Sequence, residues 1–258
     1  MVACEEEIIL DLDSVEPELV VEGIVAQPPF PSYVILSETE DFYEFNGGKP
    51  VTDAKVVLTS DGGQTDILTP DENGVYHVDT TFDIMPGREY SLSVEWKDKA
   101  CEAHAVLPGR VEIDSLDSRT SDFAPPGEEN VAVVYVYFLD DASQKDYYRF
   151  VFYVNGEPYE DSYGFIIIDD EIFNGEIFSF PVYLFGVVPG DTVVAELRHI
   201  TKEMFDYYTT LDNITTSGGP KGSATPYNPK SNIEGGALGY FGAYSADTGT
   251  VIIQKVHY

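Results

Sequence analysis

The chain has 258 residues, 43% of them apolar, which is enough for one large or two small domains with buried cores. Its 46 acidic and 14 basic residues give a formal charge of -32, which repels nucleic-acid phosphates and anionic lipid headgroups. This surface favours neutral or cationic partners, or serves only to keep the protein soluble. No apolar run reaches the roughly 18 residues of a membrane-spanning helix.

Residues 1–16 are predicted to form a lipoprotein tether. Val2-Ala3-Cys4 is typical of the end of a lipoprotein signal peptide whose charged and apolar parts are missing. Cys4 would then be the first mature residue and carry the lipid, since a multiply acylated cysteine anchors a protein stably. The acidic run Glu5-Glu6-Glu7 follows and resembles a surface-export signal. The alternatives are a free cysteine near a frayed terminus and a solvated acidic tail.

Residues 17–117 are predicted to form an N-terminal β-sandwich of the immunoglobulin or transthyretin-like type. In the clearest segment, Leu92, Val94 and Trp96 alternate with polar residues, which is the period of a strand with one solvated face. Glycine-containing turns separate such segments at regular spacing, as in a sandwich. The strand-like segments are residues 19–25, 33–36, 54–59, 75–78 and 90–96.

Residues 118–130 contain Pro125-Pro126-Gly127 beside charged residues, which predicts a linker or long loop. Residues 131–258 are then expected to form a second β-rich domain with one short helix over 201–214, capped by Thr201. Residues 217–242 are rich in Gly, Pro, Ser and Asn and are predicted to form a long loop. The strand-like segments are residues 131–139, 147–154, 165–168, 177–185, 192–197 and 250–256.

Motifs of catalysis are absent from the sequence, which therefore predicts no enzyme. It contains no G-x-S-x-G, H-E-x-x-H or C-x-x-C, and no Lys-Ser or Lys-Thr pair follows the glycines at 235–239. Two catalytic carboxylates facing across a cleft would leave no such motif. The histidines stand singly, so no zinc site is predicted. They are His77, His104, His199 and His257.

Neighbouring carboxylates offer the hard oxygen ligands that calcium prefers. The pair Asp140-Asp141 and the run Asp169-Asp170-Glu171 are of this kind. Such neighbours also arise by chance among 46 acidic residues, and none follows the Asp-x-Asp-x-Asp-Gly pattern of a calcium loop. The sequence therefore predicts no cofactor and leaves calcium open.

The order of several short motifs resembles a bacterial protein family over nearly the whole chain. Cys4 and the acidic run precede a Leu-Val-Val-Glu-Gly segment at 19–23, and Gly74 and Tyr76 form a Gly-x-Tyr turn. The tail contains Asn-Pro at 228–229, Ser-Asn-Ile at 231–233 and Gly-Tyr-Phe-Gly-Ala-Tyr at 239–244. Together these motifs resemble the Bacteroidota lipoproteins called domain of unknown function 4249, which are often encoded beside TonB-dependent receptors.

This resemblance implies an outer-membrane, surface-exposed lipoprotein that is a non-catalytic accessory or ligand-binding partner of a TonB-dependent nutrient transporter. It touches the membrane only through its lipid and binds no nucleic acid. The alternative is a cell-surface adhesion or structural β-sandwich protein, because a fold does not fix a function. Cys101 lies inside the first domain and is not expected to pair with Cys4.

A ligand site, if present, is expected in the second domain, which has the helix and the glycine-rich segment. Rigid aromatic side chains there can stack on sugars or peptides and still form hydrogen bonds. The alternative is that these rings fill the core between helix, loop and sheet. The candidate residues are Tyr207, Tyr208, Tyr227, Tyr240 and Phe241.

Overall fold

The computed structural model describes residues 17–39, 48–120, 130–159, 165–217 and 228–255. Strands account for 55% of the chain and helix for 6%, which confirms the all-β class with one short helix. The strands of the first half are β1 Leu19–Ala26, β2 Tyr33–Glu38, β3 Lys49–Pro50, β4 Lys55–Ser60, β5 Thr65–Pro70, β6 Val75–His77, β7 Glu89–Trp96 and β8 Lys99–Val106. The elements of the second half are β9 Ile113–Thr120, β10 Val131–Leu139, β11 Tyr147–Val154, β12 Glu157–Pro158, β13 Ile166–Asp169, β14 Ile177–Phe185, β15 Thr192–Ile200, α1 Lys202–Ser217 and β16 Leu238–Ile252.

The first half of the chain forms a β-sandwich around one apolar core. Strands β1, β2 and β6 make one layer and β4, β7 and β8 the other, with β5 paired to both β4 and β6. The alternation predicted for β7 is present, since Tyr90, Leu92, Val94 and Trp96 are buried. Each fully buried Leu or Val stabilises the fold by about 1.5–3 kcal/mol relative to an exposed one.

The second half encloses a separate core between two layers. Strands β14, β10 and β9 form a three-stranded sheet. The facing layer contains β13, β11 and β15, with the C-terminal part of β16. Phe138 lies at the centre of this core, fully buried, with its ring against those of Tyr148, Phe150, Phe173 and Phe178.

Strand β16 belongs to both halves. Its residues 238–244 pair in parallel with β1, and residues 244–252 pair antiparallel with β15. The expectation of a loop through residue 242 with a strand only from 250 was therefore wrong at this point. A path of hydrogen-bonded strands runs from β8 to β12 through β16, so backbone pairing joins the two cores.

Strand β9 lies beside the predicted linker. It pairs antiparallel with β10, and residues 118–120 of the predicted linker belong to it. Residues 121–129 lie outside the described part of the chain. A domain boundary at 118–130 stays a prediction. Ile113 and Leu116, which precede this stretch, already pack against the second core.

Candidate functional site

Helix α1 covers the outer face of the sheet where the two halves meet. Thr201 accepts a hydrogen bond from the backbone N–H of Met204 at 3.3 Å, which confirms its predicted capping role. The buried face of the helix carries Met204, Tyr207 and Tyr208 at helical spacing. These side chains complete a helix-covered cluster with Ile24, Ala26, Ile200, Tyr244 and Ala246.

Three of the five predicted aromatic residues come together at this helix. The rings of Tyr207 and Tyr240 lie 4.2 Å apart between centroids, and the Tyr208 and Tyr240 hydroxyl oxygens are 2.9 Å apart. The Arg149 guanidinium lies 4.2 Å from the centroid of the Tyr208 ring, a cation–π contact that helps to hold this ring in place. The tyrosines therefore form a fixed group.

A groove opens beside these tyrosines and is named here the tyrosine groove. Its volume, including the part that is open to solvent, is about 450 Å³. Tyr207 and Tyr208 are 7% and 5% exposed, so only a small part of each ring faces the groove, while Tyr240 and Tyr33 are partly exposed. Its lining residues are Glu22, Ile24, Tyr33, Ile35, Tyr207, Tyr208, Leu211 and Tyr240.

Three hydroxyls of the groove, those of Tyr207, Tyr240 and Tyr33, have pKa values raised above the usual value of a tyrosine. Burial raises the pKa of the Tyr207 hydroxyl to about 12, with smaller contributions from Glu22 and Tyr208. Burial and the neighbouring Tyr208 raise the pKa of Tyr240 well above its usual value, and burial raises that of Tyr33. The charged side chain among the eight lining residues is the exposed Glu22.

The remaining predicted site residues lie elsewhere. The Phe241 ring is 1% exposed and packs into the first core, because neighbouring residues of a strand point to opposite faces. Its role as a groove residue is therefore not supported by its position. Tyr227 and Cys4 lie outside the described residues. Cys101 is buried in β8 and forms no disulfide within the described residues.

Sequence reasoning missed Glu22 and Tyr33 as groove residues. Alternation along β1 places Glu22 and Ile24 on one face, and Val21 and Val25 on the other. This alternation was visible in the sequence, but it does not show what covers the outer face. The covering helix is about 180 residues away in the chain. Only the parallel pairing of β1 with β16 brings these positions beside Tyr240.

A second group of side chains lies at the edge of the second core. Asp140, Asp146 and Asp170 are buried, and each places one carboxylate oxygen within 4.8 Å of the others. The sequence marked Asp140 and Asp170 through their acidic neighbours, but Asp141 and Glu171 are exposed and do not belong to the group. Asp146 has no acidic neighbour in sequence and was missed.

The histidines stay separate from one another, as far as the described residues extend. His199 lies against Asp146, with 2.9 Å between Nε2 and Oδ1, and its Nδ1 is 2.8 Å from the carbonyl oxygen of Gly109. His77 and His104 lie on exposed strand positions. His257 is outside the described residues.

The tail motifs of the sequence hold β16 in place. The Asn232 side chain donates to the carbonyl oxygen of Phe241 at 2.7 Å and accepts from the Phe241 backbone N–H at 2.9 Å. Gly239 has a φ of 99°, and a Cβ there would lie 2.0 Å from the carbonyl oxygen of Val21. Both motifs are thus needed for the close approach of β16 to β1.

Comparison with known proteins gives a family assignment. No helix among the described residues has the length and apolar character to cross a membrane. No curated protein matches the chain. The sequence model of one family matches residues 5–250, which is nearly the whole chain. The chain therefore belongs to the family described as Domain of unknown function (DUF4249).

Proposed function

We propose that the protein is a surface-exposed outer-membrane lipoprotein of Bacteroidota, anchored through Cys4. In this proposal it acts as a non-catalytic accessory, or ligand-binding partner, of a TonB-dependent nutrient transporter. The anchor rests on the Val2-Ala3-Cys4 sequence and the acidic residues 5–7 after it. The family membership supports the same reading, because the motifs that define the resemblance follow one another in order from Cys4 to Tyr244.

The tyrosine groove is the observation that supports binding. Tyrosine rings offer large rigid contact area with a polar tip, so a ligand gains contact without ordering flexible side chains. Glu22 adds one carboxylate at the mouth, and the chain as a whole carries a charge of -32. The groove therefore suits a neutral or cationic ligand with an apolar or ring-shaped face, such as a sugar or a peptide.

Binding is favoured over catalysis by the surroundings of the polar groups. Ser91 Oγ lies 2.9 Å from His104 Nδ1, but both are on the exposed face of β7 and β8, and the groove lining includes neither. A hydrolase needs its nucleophile and base beside a substrate cleft. The carboxylates that lie close together are buried, whereas glycoside hydrolysis needs two that face a sugar across a cleft.

A cell-surface adhesion protein is the second candidate. Two pairs of β-sheet layers, joined by backbone hydrogen bonds through β16, make a stiff body that suits a structural role. The two candidates differ in what they predict for a small ligand. A transporter accessory binds the transported nutrient or the receptor, whereas an adhesin needs neither.

The test is purification of the tagged full-length precursor from outer membranes of the native host in mild detergent. We expect a TonB-dependent receptor to co-purify, together with a small ligand that mass spectrometry detects after denaturation. Cys4→Ala should move the protein out of the membrane fraction, since it removes the acylated thiol. Glu22→Lys should lower the bound ligand about tenfold or more, equal to about 1.4 kcal/mol of affinity.

Glu89→Lys is the matched control, because it makes the same charge change on an exposed position of β7 outside the groove. It should retain wild-type ligand and receptor. Absence of any enriched receptor would refute the transporter role. Full membrane retention of Cys4→Ala would refute the anchor.

A further inference from the structure

Three buried aspartates meet where the strands of the second core end. Asp140 follows β10, Asp146 precedes β11, and Asp170 follows β13, so loops from both layers converge here. The residues are 4%, 1% and 1% exposed. Buried carboxylates normally occur only with paired charges or bound metals, because burial of an isolated charge is very unfavourable.

Among the described residues, the hydrogen bonds of the group leave one fully buried oxygen without a partner. Asp140 accepts from the Tyr148 hydroxyl at 2.6 Å and from the Gly175 backbone N–H at 2.8 Å. Asp170 Oδ2 accepts from the Asp146 backbone N–H at 2.9 Å.

The unpartnered oxygen belongs to Asp146. Its Oδ1 accepts from the Gln144 amide at 2.8 Å and also faces His199. Its Oδ2 is fully buried and has no hydrogen-bond partner among the described residues. Since Oδ1 already has two contacts, Oδ2 is the Asp146 oxygen that is free to bind a ligand.

Negative charge exceeds positive charge around this oxygen. The basic groups that face the cluster are His199, against Asp146, and Lys145, whose Nζ is 3.8 Å from Asp170 Oδ1. Lys145 lies closer to Asp169, at 3.0 Å, and its side chain is half exposed. Even if both bases are counted as cations, three carboxylates outnumber them.

We propose that Asp140, Asp146 and Asp170 bind one calcium ion. Calcium takes oxygen ligands at roughly 2.3–2.6 Å, so ligand atoms on opposite sides of the ion lie up to about 5 Å apart. The 4.8 Å limit that encloses the three oxygens fits this span. The ion supplies the missing partner of Asp146 Oδ2 and balances the excess carboxylate charge.

The donor set selects calcium over other common ions. Structural zinc sites are built from cysteine sulfur and histidine nitrogen, whereas this cluster offers three carboxylates and the Nε2 atom of His199 is already engaged with Asp146. Magnesium keeps several waters and uses one or two carboxylates, whereas this cluster is buried and has three. Bound calcium would fasten the loop after β10 to the loop after β13. This site is independent of the proposed transport role.

The first test uses the purified chain after treatment with EDTA. Calcium chloride at about a hundredfold excess over its Kd should raise Tm by roughly 5 °C or more. Isothermal titration calorimetry should give one ion per chain. Terbium should bind in place of calcium, and excitation of tyrosine should sensitise its emission, because the Tyr148 hydroxyl contacts a ligand carboxylate.

The variants are Asp146→Asn and, independently, Asp170→Asn. Each should abolish the calcium-dependent rise in Tm. In EDTA, Asp146→Asn should be at least as stable as the wild type. The Asp146 carboxylate repels those of Asp140 and Asp170, whereas an amide at this position can donate a hydrogen bond to them. A purely structural aspartate would instead lose stability equally with and without calcium. Glu171→Gln is the control, because it removes one exposed negative charge beside Asp170 and should keep the full rise.

The proposal is overturned if the wild type shows neither calorimetric binding nor a Tm shift at calcium concentrations up to about 10 mM. This concentration is about tenfold above the Kd of the weakest extracellular calcium modules. An unchanged calcium response in both aspartate variants also overturns it. A larger response to magnesium than to calcium overturns the identity of the ion.

Discussion

At the residue scale, Tyr207 combines apolar packing under the helix with a hydroxyl whose pKa is raised. Tyr207 contributes most of its ring to the helix-covered cluster and a small exposed part to the groove. Its raised pKa results first from burial, which disfavours the charged phenolate. Ionisation of the Tyr207 hydroxyl therefore affects the stability of the packed helix.

The shift of Tyr207 predicts a loss of stability at alkaline pH. Its folded pKa of about 12 exceeds the value of about 10 in an unfolded chain. Its contribution is fully present below pH 10 and is lost as pH rises toward 12, because the unfolded state releases the proton first. Tyr207→Phe removes this titration, so the variant should gain stability relative to the wild type between about pH 8 and pH 11.

Urea unfolding of the wild type and Tyr207→Phe at about pH 8 and about pH 11 measures this change in the free energy of unfolding. Tyr183→Phe is the control, since it removes a hydroxyl from a residue that is 47% exposed in β14, outside the helix-covered cluster. A pH-independent difference for Tyr207→Phe would contradict the assignment.

At the element scale, alternation and β-branched residues predicted most of the long strands but not β5, β8 and β9. Strands β10, β11 and β14 have the predicted bounds, and the turn at Asn155-Gly156 has positive φ at both residues. Strand β16 was missed from residue 238 to residue 249, because glycines recur along this stretch and polar residues follow from Ser245, and glycine and aspartate are depleted in strands. Its position depends on contact with β1, about 220 residues away, which no local pattern contains.

Gly239→Ala tests why glycine stands at the start of β16. An alanine there would be strained at φ 99° and its Cβ would clash with the Val21 carbonyl. We expect a loss of about 2–4 kcal/mol in the free energy of unfolding. Gly156→Ala is the control, since Gly156 has a φ of 89° but nothing within 4 Å of an added Cβ.

The control should lose only about 1–2 kcal/mol, the strain of a left-handed residue. Chemical denaturation of both variants gives the comparison. If Gly239→Ala loses no more than Gly156→Ala, the close contact with Val21 has no energetic consequence.

At the scale of the whole molecule, the sites depend on topology that the sequence does not display. The groove needs β1 beside β16 and α1 above both, so only its helical tyrosines were predictable from spacing. The aspartate cluster joins three residues from two loops, and two of these residues, Asp140 and Asp170, were marked by acidic neighbours. The strand and turn pattern predicted the all-β class that the fold confirms, but the sharing of β16 between the two halves became visible only in the fold.

This shared strand predicts that the two cores unfold together. Tyr244 of β16 pairs with Ala26 on one side and with Ile200 on the other, so separation of the halves breaks a continuous ladder. Trp96 is the single tryptophan and is buried in the first core, which makes its fluorescence a reporter of that core. Phe138 is fully buried in the second core.

Phe138→Ala should destabilise the second core by about 3–5 kcal/mol. We expect the Trp96 fluorescence midpoint in urea to fall together with the circular dichroism midpoint, because β16 transmits the loss to the first core. Leu139→Ala is the control on the same strand, where the side chain is 58% exposed and a change within about 0.5 kcal/mol is expected. An unmoved Trp96 midpoint with a biphasic dichroism curve would contradict the coupling, and would instead favour two separate folding units with their boundary at residues 118–130.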